Sequence, residues 1–250
     1  SSLWGSDAIG GVIAFTSREL DGLRAEAEAG SYDTLRGRLA VGRANDRWAV
    51  GAFVSRFDTD GFSAADAANG NTEDDGFENT TVGLNGRFAF DPRLSIDGRL
   101  RWSDSFAELD GFGPVDAADT AATENRSGFV RLRAADVLGL DHQITLAASE
   151  IERDSVSAYP SVYQGERRLW RWQVDSRDQN AALTYAFGAE REETEADLNG
   201  RTAGLGTTSV FGVARYRPNE RLSLNLGLRH DETDDFGGEI TGRASAAYAL

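Results

Sequence analysis

The sequence contains no cysteine, which excludes a disulfide framework, thiol catalysis and zinc held by cysteine ligands. No apolar run approaches the roughly 18 residues that a membrane-spanning helix requires, so an α-helical membrane protein is excluded. Basic residues are outnumbered, with 26 Lys and Arg against 41 Asp and Glu and a formal net charge of −15. Since no basic stripe is present to contact phosphates, nucleic acid is not expected as a partner.

Motifs of catalysis are also missing. The two histidines, His142 and His230, lie far apart in the sequence, and neither has the spacing of a metal-ligand pair. The glycine-rich segment 204–208 lacks the lysine of a phosphate-binding loop, and no G-x-S-x-G nucleophile elbow occurs. The sequence therefore predicts that the protein is not an enzyme and holds no organic cofactor.

The dominant pattern is alternation of apolar and polar residues. In Leu222–Arg229, for example, four leucines alternate with Ser, Asn, Gly and Arg. A helix would spread these polar groups over every face, whereas a strand gathers them on one face. About twelve segments show this period. They lie near 22–30, 34–43, 47–57, 77–90, 94–106, 125–138, 142–154, 168–175, 180–192, 208–217, 221–230 and 239–250.

The connections between these segments alternate in length. Strands of about ten residues joined by short turns at one end and longer loops at the other are typical of outer-membrane β-barrels. Soluble β-sandwiches and β-helices also show alternation and are the competing architectures. Short turns are expected at 44–46, 91–93, 139–141, 176–178 and 218–220. Longer loops are expected at about 58–76, 107–124, 155–167, 193–207 and 231–238.

The first twenty residues, SSLWGSDAIGGVIAFTSREL, resemble the end of the plug domain of TonB-dependent outer-membrane receptors. Trp4, Ala14 and Arg18 replace the Tyr, Asn and Lys that are usual there. The resemblance implies an all-β fold, with the end of the plug at 1–20 and the first half of a transmembrane antiparallel β-barrel at 21–250. Plugged transporters have 22 strands, so the chain is expected to be a fragment that lacks the remaining strands and the TonB-contacting box.

A barrel in lipid constrains where its arginines point. An arginine on the lipid face costs about 2–4 kcal/mol at the bilayer midplane, so Arg99, Arg101 and Arg229 are expected to face the lumen. On the first strands, lumen-facing charges are expected to bond the plug. The residues expected in the lumen are Arg99, Arg101 and Arg229, with Arg24, Glu26 and Arg36 facing the plug.

Three loops resemble the cobalamin-receptor branch of this family: 71–77, 102–110 and 229–237. The resemblance implies bound calcium, which takes six to eight hard oxygen ligands. The implied calcium ligands are Asn71, Glu73, Asp75 and Asp110, with Asp116 or Asp119 as a looser candidate. The family pattern is broken at Ser63, where an aspartate is usual and Asp66 is a possible substitute, and at Leu109, where a tyrosine is usual. The alternative is that these acids only keep an extracellular loop hydrated.

The resemblance implies a function in the bacterial outer membrane. The expected activity is active import of a scarce nutrient, cobalamin first, by a monomer in outer-membrane lipid that is driven through the TonB energy-coupling complex. Thr194, at the start of a predicted long loop, is the candidate substrate contact. Three alternatives stay open: a siderophore receptor, a passive porin or structural barrel, and a soluble extracellular β-protein used for adhesion.

Overall fold

The computed structural model describes residues 19–63, 70, 74–110, 119–178 and 180–249, and it contains twelve β-strands. All strands lie in one sheet, each is antiparallel to its sequence neighbour, and their order in the sheet is their order in the chain. The strands are β1 Gly22–Ala29, β2 Leu35–Ala44, β3 Trp48–Thr59, β4 Phe77–Ala89, β5 Leu94–Leu109, β6 Asp119–Val137, β7 Leu140–Val156, β8 Ser161–Ser176, β9 Leu183–Leu198, β10 Arg201–Tyr216, β11 Leu222–Thr233 and β12 Gly237–Tyr248.

The predicted all-β fold of about twelve antiparallel strands is therefore confirmed. No described residue belongs to a helix long and apolar enough to cross a membrane. The predicted end of the plug, apart from Glu19 and Leu20, lies outside the described residues.

The two faces of the sheet differ in polarity. Directly paired residues point to the same side, so the register extends an apolar stripe from strand to strand, for instance from Leu39 to Val54 and on to Val82. Its side chains are exposed, with Leu100 at 61 % and Leu146 at 53 %. The other face carries nearly all of the deeply buried described residues, including Thr81, Ser103, Phe211, Glu190 and Arg229. Side chains that converge in this way belong to the concave side of a curved sheet.

The expectation that Arg99, Arg101 and Arg229 lie opposite the apolar stripe is confirmed. Three other strand arginines, Arg126, Arg168 and Arg191, lie on the side of the stripe, because they pair with Trp102, Ala148 and Trp170. Arg99 pairs with Asn85, Arg229 with Phe211, and Arg24 with Ala40, all on the concave face. Glu26 and Arg36 lie on the same side, because each pairs with a residue of that face. Their predicted bonds to the plug concern residues outside the described part of the chain.

Three of the short turns that close one end of the sheet have the same hydrogen-bond pattern. Asn45 accepts hydrogen bonds from the backbone N–H groups of Arg47 and Trp48, both at 2.8 Å. Asp91 bonds the N–H groups of residues 93 and 94 in the same way, and Asn219 those of residues 221 and 222. These Asx turns satisfy the backbone donors locally, which confirms the short turns predicted at 44–46, 91–93 and 218–220. We call this the short-turn end and the opposite end the loop end.

The predicted long loops at 155–167 and 193–207 are wrong, because the strands continue through most of both segments. β9 runs to Leu198 and β10 begins at Arg201. Between them Asn199 (φ 54°) and Gly200 (φ 80°) form a two-residue connection, the positive-φ pair that a type I′ hairpin turn requires. The predicted loop 231–238 is also shorter in the structure, where it spans residues 234–236. The segment 193–198 keeps the alternation, but Glu193, Glu195 and Asp197 occupy the side that carries the apolar stripe elsewhere in the sheet.

The chain enters the sheet across the concave face of β2. The Leu20 carbonyl oxygen lies where a side chain at Gly42 would begin, so only glycine lets the two backbones approach this closely. Glu19 bonds Arg87 through both carboxylate oxygens, at 2.5 and 3.2 Å. The Arg87 guanidinium holds the pKa of Glu19 below its usual value. The segment before β1 is thereby fixed to the concave face at its short-turn end.

Candidate functional site

A depression of about 530 Å³ lies on the concave face across β2–β5. Five arginines line it: Arg36 and Arg38 from β2, Arg56 from β3, and Arg99 and Arg101 from β5. Three phenylalanines from β3 and β4 complete its apolar part: Phe53, Phe57 and Phe77. No acidic residue is among its described lining residues. We call this depression the arginine pocket.

A glycine organises the floor of the arginine pocket. Gly83 pairs with Phe53 on one side and with Arg101 on the other. Because Gly83 has no side chain, the Phe53 ring occupies the space where a β-carbon would otherwise be. The Arg38 guanidinium stacks over the same ring, 4.5 Å from its centroid, in cation–π geometry. The floor is therefore an aromatic surface flanked by guanidinium groups.

Four of the five arginines in the arginine pocket make no ion pair. Within residues 19–63, 70, 74–110, 119–178 and 180–249, the two from β2 and the two from β5 pair with no acidic side chain, whereas Arg56 pairs with Asp58 and Glu78. All four side chains are exposed on the concave face. A guanidinium presents five N–H donors in a planar fork that matches carboxylate-like oxygens. The arrangement is suited to an anionic ligand that also has aromatic rings.

Acidic residues gather at the loop end of the same strands. Asp60, just after β3, lies near Asp33, Asp58 and Asp74. Partial loss of hydration and then the negative charge of Asp33 raise the pKa of the Asp60 carboxyl above its usual value. A cation placed here would relieve this repulsion between carboxylates.

The structure brings together parts of the two loops predicted to bind calcium. The Ser63 hydroxyl donates to Asp110 Oδ2 at 3.5 Å, and the Gly76 N–H donates to Glu108 Oε2 at 3.0 Å. Gly61 packs against the Asp75 carbonyl so closely that a β-carbon would overlap it. The two loops therefore meet at their bases.

Three of the predicted calcium ligands, Asn71, Glu73 and Asp116, lie outside the described residues. Among those that the structure does describe, no three His, Asp or Glu side chains are grouped so that they could hold a metal ion. The calcium site therefore stays a prediction.

Thr194 does not start a loop but lies inside β9. Its partners across the sheet are Arg167 and Leu205, and its hydroxyl donates to the Leu205 carbonyl at 3.3 Å. With Tyr163 and Arg167 it lines a second concave-face depression of about 530 Å³. The location corrects the sequence interpretation, while the role of Thr194 as a substrate contact stays a prediction.

The sequence interpretation missed the arginine pocket as a unit. Alternation put Arg36 on the polar face, and the same period includes Arg38 two residues later. The pocket also needs Phe53, Phe77 and the arginines of β5, whose distance from β2 in the sheet depends on the register of three strand pairs. A search for arginines and aromatic residues on the same face of neighbouring strands would have found its members, but not their distances across the sheet.

Solved structures with the same fold are numerous. The siderophore receptor PirA from Pseudomonas aeruginosa matches with a TM-score of 0.70 and 15 % identity, over 94 % of this chain and 42 % of that chain. The closed form of the ferric-catecholate import receptor Fiu from K12 E. coli matches with a TM-score of 0.71 and 13 % identity, over 93 % and 47 %. The ferric yersiniabactin uptake receptor FyuA from Yersinia pestis gives 0.69 and 11 %, over 92 % and 44 %. The chain thus spans less than half the length of these structures.

No curated protein matches the chain by sequence. The family model of the TonB dependent receptor-like β-barrel matches residues 22–250, which is nearly the whole chain and includes all twelve strands. The concave polar face is accordingly the wall of the barrel lumen, and the apolar stripe faces lipid. The family consists of transport receptors and is not an enzyme family. The chain belongs to the TonB-dependent receptor β-barrel family.

Proposed function

We propose that the receptor carrying this chain imports an anionic, aromatic ferric chelate of the siderophore class across the bacterial outer membrane, driven through TonB. The observation that carries the proposal is the arginine pocket, where the four arginines of β2 and β5 lie beside three phenylalanine rings on the lumen wall. Catecholate-type ferric chelates combine net negative charge with aromatic rings, which is the chemistry that this pocket complements.

The lumen position suits a substrate that must pass the barrel. Clefts lined by charge of one sign concentrate ligands of the opposite sign. Because the net charge of the chain is −15, a positively charged lining differs from the chain as a whole. The similarity in fold to a receptor named for ferric-catecholate import adds support. At 13 % identity that similarity concerns the fold alone, so the substrate rests on the pocket.

Cobalamin is the second candidate, and the loop end of β1–β5 favours it. The raised pKa of Asp60 beside Asp33, Asp58 and Asp74 indicates carboxylates that a cation would stabilise. In this alternative, calcium orders the two loops whose bases meet at Asp75 and Asp110. A passive porin, the alternative of another class, is disfavoured by membership of a family of coupled receptors.

The test measures binding to the full-length receptor in detergent by quenching of tryptophan fluorescence. The ligands are an anionic ferric catecholate, a neutral ferric hydroxamate, and cyanocobalamin with calcium or with EDTA. We expect the catecholate to bind most tightly and to weaken as salt is raised, since its contacts are electrostatic. Binding of cyanocobalamin that requires calcium, without chelate binding, would replace the siderophore proposal with the cobalamin one.

Variants connect the result to the arginine pocket. Charge-assisted hydrogen bonds contribute about 1.5–3 kcal/mol each, so the double variant Arg99→Gln/Arg101→Gln should weaken catecholate binding about a hundredfold. The matched control is Arg24→Gln, which removes a lumen-facing arginine outside the pocket. Equal losses in both variants would show that general lumen charge, and not this pocket, selects the ligand.

A further inference from the structure

The lumen face has an apolar depression in addition to the arginine pocket. It is the depression of about 530 Å³ on β7–β10 that Thr194 borders. One register row forms its floor, in which Gly165 pairs with Ala196 and Ala196 pairs with Ala203. Three adjacent strands therefore have no side chain larger than a methyl group at this height. We call this depression the apolar pocket.

Larger side chains form the sides of the apolar pocket. A β-carbon at Gly165 would lie 2.7 Å from the Tyr163 hydroxyl oxygen and 3.0 Å from Ile151 Cγ2, so these two side chains approach each other over the glycine. Leu205 lines the pocket from β10, and the Phe236 ring, 83 % exposed, lines it from the turn at 234–236. The pocket is thus enclosed by aliphatic and aromatic groups.

The polarity of the two faces of the sheet is inverted at the apolar pocket. Over most of the sheet the apolar stripe lies on the outer face and polar side chains lie on the lumen face. Behind the pocket the outer face carries carboxylates in register, since Glu150 pairs with Glu166 and Glu166 with Glu195. The residues that follow or precede these glutamates in the sequence form the apolar lumen surface. Apolar surface of this kind in a polar lumen is typical of a ligand-binding groove.

The charge of the apolar pocket differs from that of the arginine pocket. Arg167 is the one arginine among its described lining residues, and its guanidinium pairs with Glu192 at 2.5 Å. In the arginine pocket the guanidinium groups of β2 and β5 have no such partner among the described residues. The apolar pocket is therefore complementary to an uncharged, apolar part of a ligand, and the arginine pocket to an anionic part.

The two pockets lie on the same register row of the lumen face. Arg101 of the arginine pocket pairs with Ser127, and Ser127 pairs with Ser149. Ser149 already lines the apolar pocket, so two strand spacings, about 10 Å in total, separate it from Arg101. Only the small side chain of Ser127 lies between them on this row. A ligand with its head in the arginine pocket can therefore extend a chain into the apolar pocket.

We propose that the imported chelate is amphiphilic, which rests on the function proposed above. Its anionic ferric head binds in the arginine pocket, and a saturated acyl chain attached to the head binds in the apolar pocket. The volume of about 530 Å³ lies within the range of small-molecule pockets, about 300–1,000 Å³. Each methylene group of the chain that is buried there favours binding, so the receptor selects acylated chelates over otherwise identical ones.

The test compares two probes on the full-length receptor in detergent, by quenching of tryptophan fluorescence. One probe is the iron(III) complex of a synthetic tris-catecholate, and the other is the same complex carrying one decanoyl chain. Free concentrations are corrected for partition of each probe into protein-free micelles. We expect the acylated probe to bind at least about tenfold more tightly, since burial of two methylene groups is enough for that factor. Equal affinities of the two probes would overturn the proposal.

Variants connect the gain in affinity to the apolar pocket. Ala203→Phe fills the floor and Leu205→Asn makes one side polar, so each should lower the ratio of the two affinities from about ten to about one. The ratio is the readout because a loss of folded receptor affects both probes equally. The matched control is Ala247→Phe, which adds the same ring on the lumen face of β12 and should keep the ratio. An unchanged ratio in both pocket variants would also overturn the proposal.

The acyl-chain proposal and the proposed function fail separately in this experiment. Arg99→Gln/Arg101→Gln should weaken both probes by the same factor and keep their ratio, because it removes contacts to the head. If the two probes bind equally and this variant weakens both, the acyl-chain proposal alone is wrong. If neither probe binds, both proposals are wrong.

Discussion

The lumen wall formed by β8–β11 and the wall formed by β1–β5 carry the same kinds of charged side chain in different surroundings. In the first wall, which we call the closed wall, Arg229 and Glu190 are ion-paired with side chains only 5 % and 10 % exposed. In the second, the open wall, Arg24 and Glu26 form a pair that is 64 % and 47 % exposed. Burial, and not residue type, separates the two walls.

The closed wall satisfies its charges internally. The Arg229 guanidinium donates to Asp231 and to the Ser209 hydroxyl, both at 2.7 Å, in addition to Glu190. The Arg171 guanidinium lies 4.6 Å from the centre of the Phe211 ring. Such a network holds neighbouring strands together, because separating the strands would leave buried charged groups without partners, which costs free energy. The open wall keeps exposed arginines, which are available to a ligand.

The largest predicted effect on stability comes from removing an ion pair of the closed wall. Arg229→Ala leaves Glu190 with Arg171 at 3.4 Å and Asp231 with the Ser209 hydroxyl as partners in the network. Removing one member of a buried ion pair costs about 3–5 kcal/mol. The free energy of unfolding, measured by urea titration of the receptor refolded into lipid vesicles, should fall by that amount. Arg24→Ala on the open wall is the control and should cost at most about 1 kcal/mol. Similar losses for the two variants would remove the distinction between the walls.

The next effect compares the two faces of one strand. Leu226, on the same strand as Arg229, faces lipid and is 52 % exposed. Leu226→Arg should lower the free energy of unfolding by about 2–4 kcal/mol if this position lies at the bilayer midplane, and by less nearer the interface. Ser245→Arg introduces the same side chain on the lumen face of β12 and should cost much less in the same titration. If both variants are equally stable, the assignment of the lipid face is wrong.

A smaller effect concerns the segment that crosses the open wall. Gly42→Ala places a methyl group against the Leu20 carbonyl, so the crossing segment must move, at a cost of about 1–3 kcal/mol. Limited proteolysis should cut the segment before β1 faster in this variant. Gly37→Ala is the control on the same strand, because nothing lies within 4 Å of its β-carbon position. Unchanged proteolysis in Gly42→Ala would show that the crossing does not depend on this glycine.

The smallest effect is a pH dependence at the loop end of the open wall. The pKa of Asp60 is raised in the folded receptor, so its ionised form is less favourable there than in the unfolded chain. Stability should therefore decrease as the pH rises from below the usual aspartate pKa through the raised value. Asp60→Asn should flatten this part of the profile, measured by thermal unfolding. Calcium bound at the cluster should flatten it as well, and no response to calcium or EDTA would count against a cation there.

Alternation in the sequence was enough to predict the strands and the sides on which Arg99, Arg101 and Arg229 lie, because period two is a local property. It failed at 193–198, where Glu193, Glu195 and Asp197 occupy the side that carries the apolar stripe elsewhere, and cross-strand backbone bonds extend the strand regardless. The Asn199-Gly200 pair was a readable type I′ signal. The arginine pocket could not be predicted, since it joins β2 and β5 through a register that only the folded sheet defines.

The order of the strands in the sheet has a consequence for how the barrel wall is assembled. Each of the twelve strands pairs only with its predecessor and its successor in the chain, so every pairing closes a short stretch of chain and costs little loop-closure entropy. Contact order is low for a β-protein of this size, which favours fast folding. The wall can therefore grow by adding one hairpin at a time, with each new strand templated by the free edge of the last.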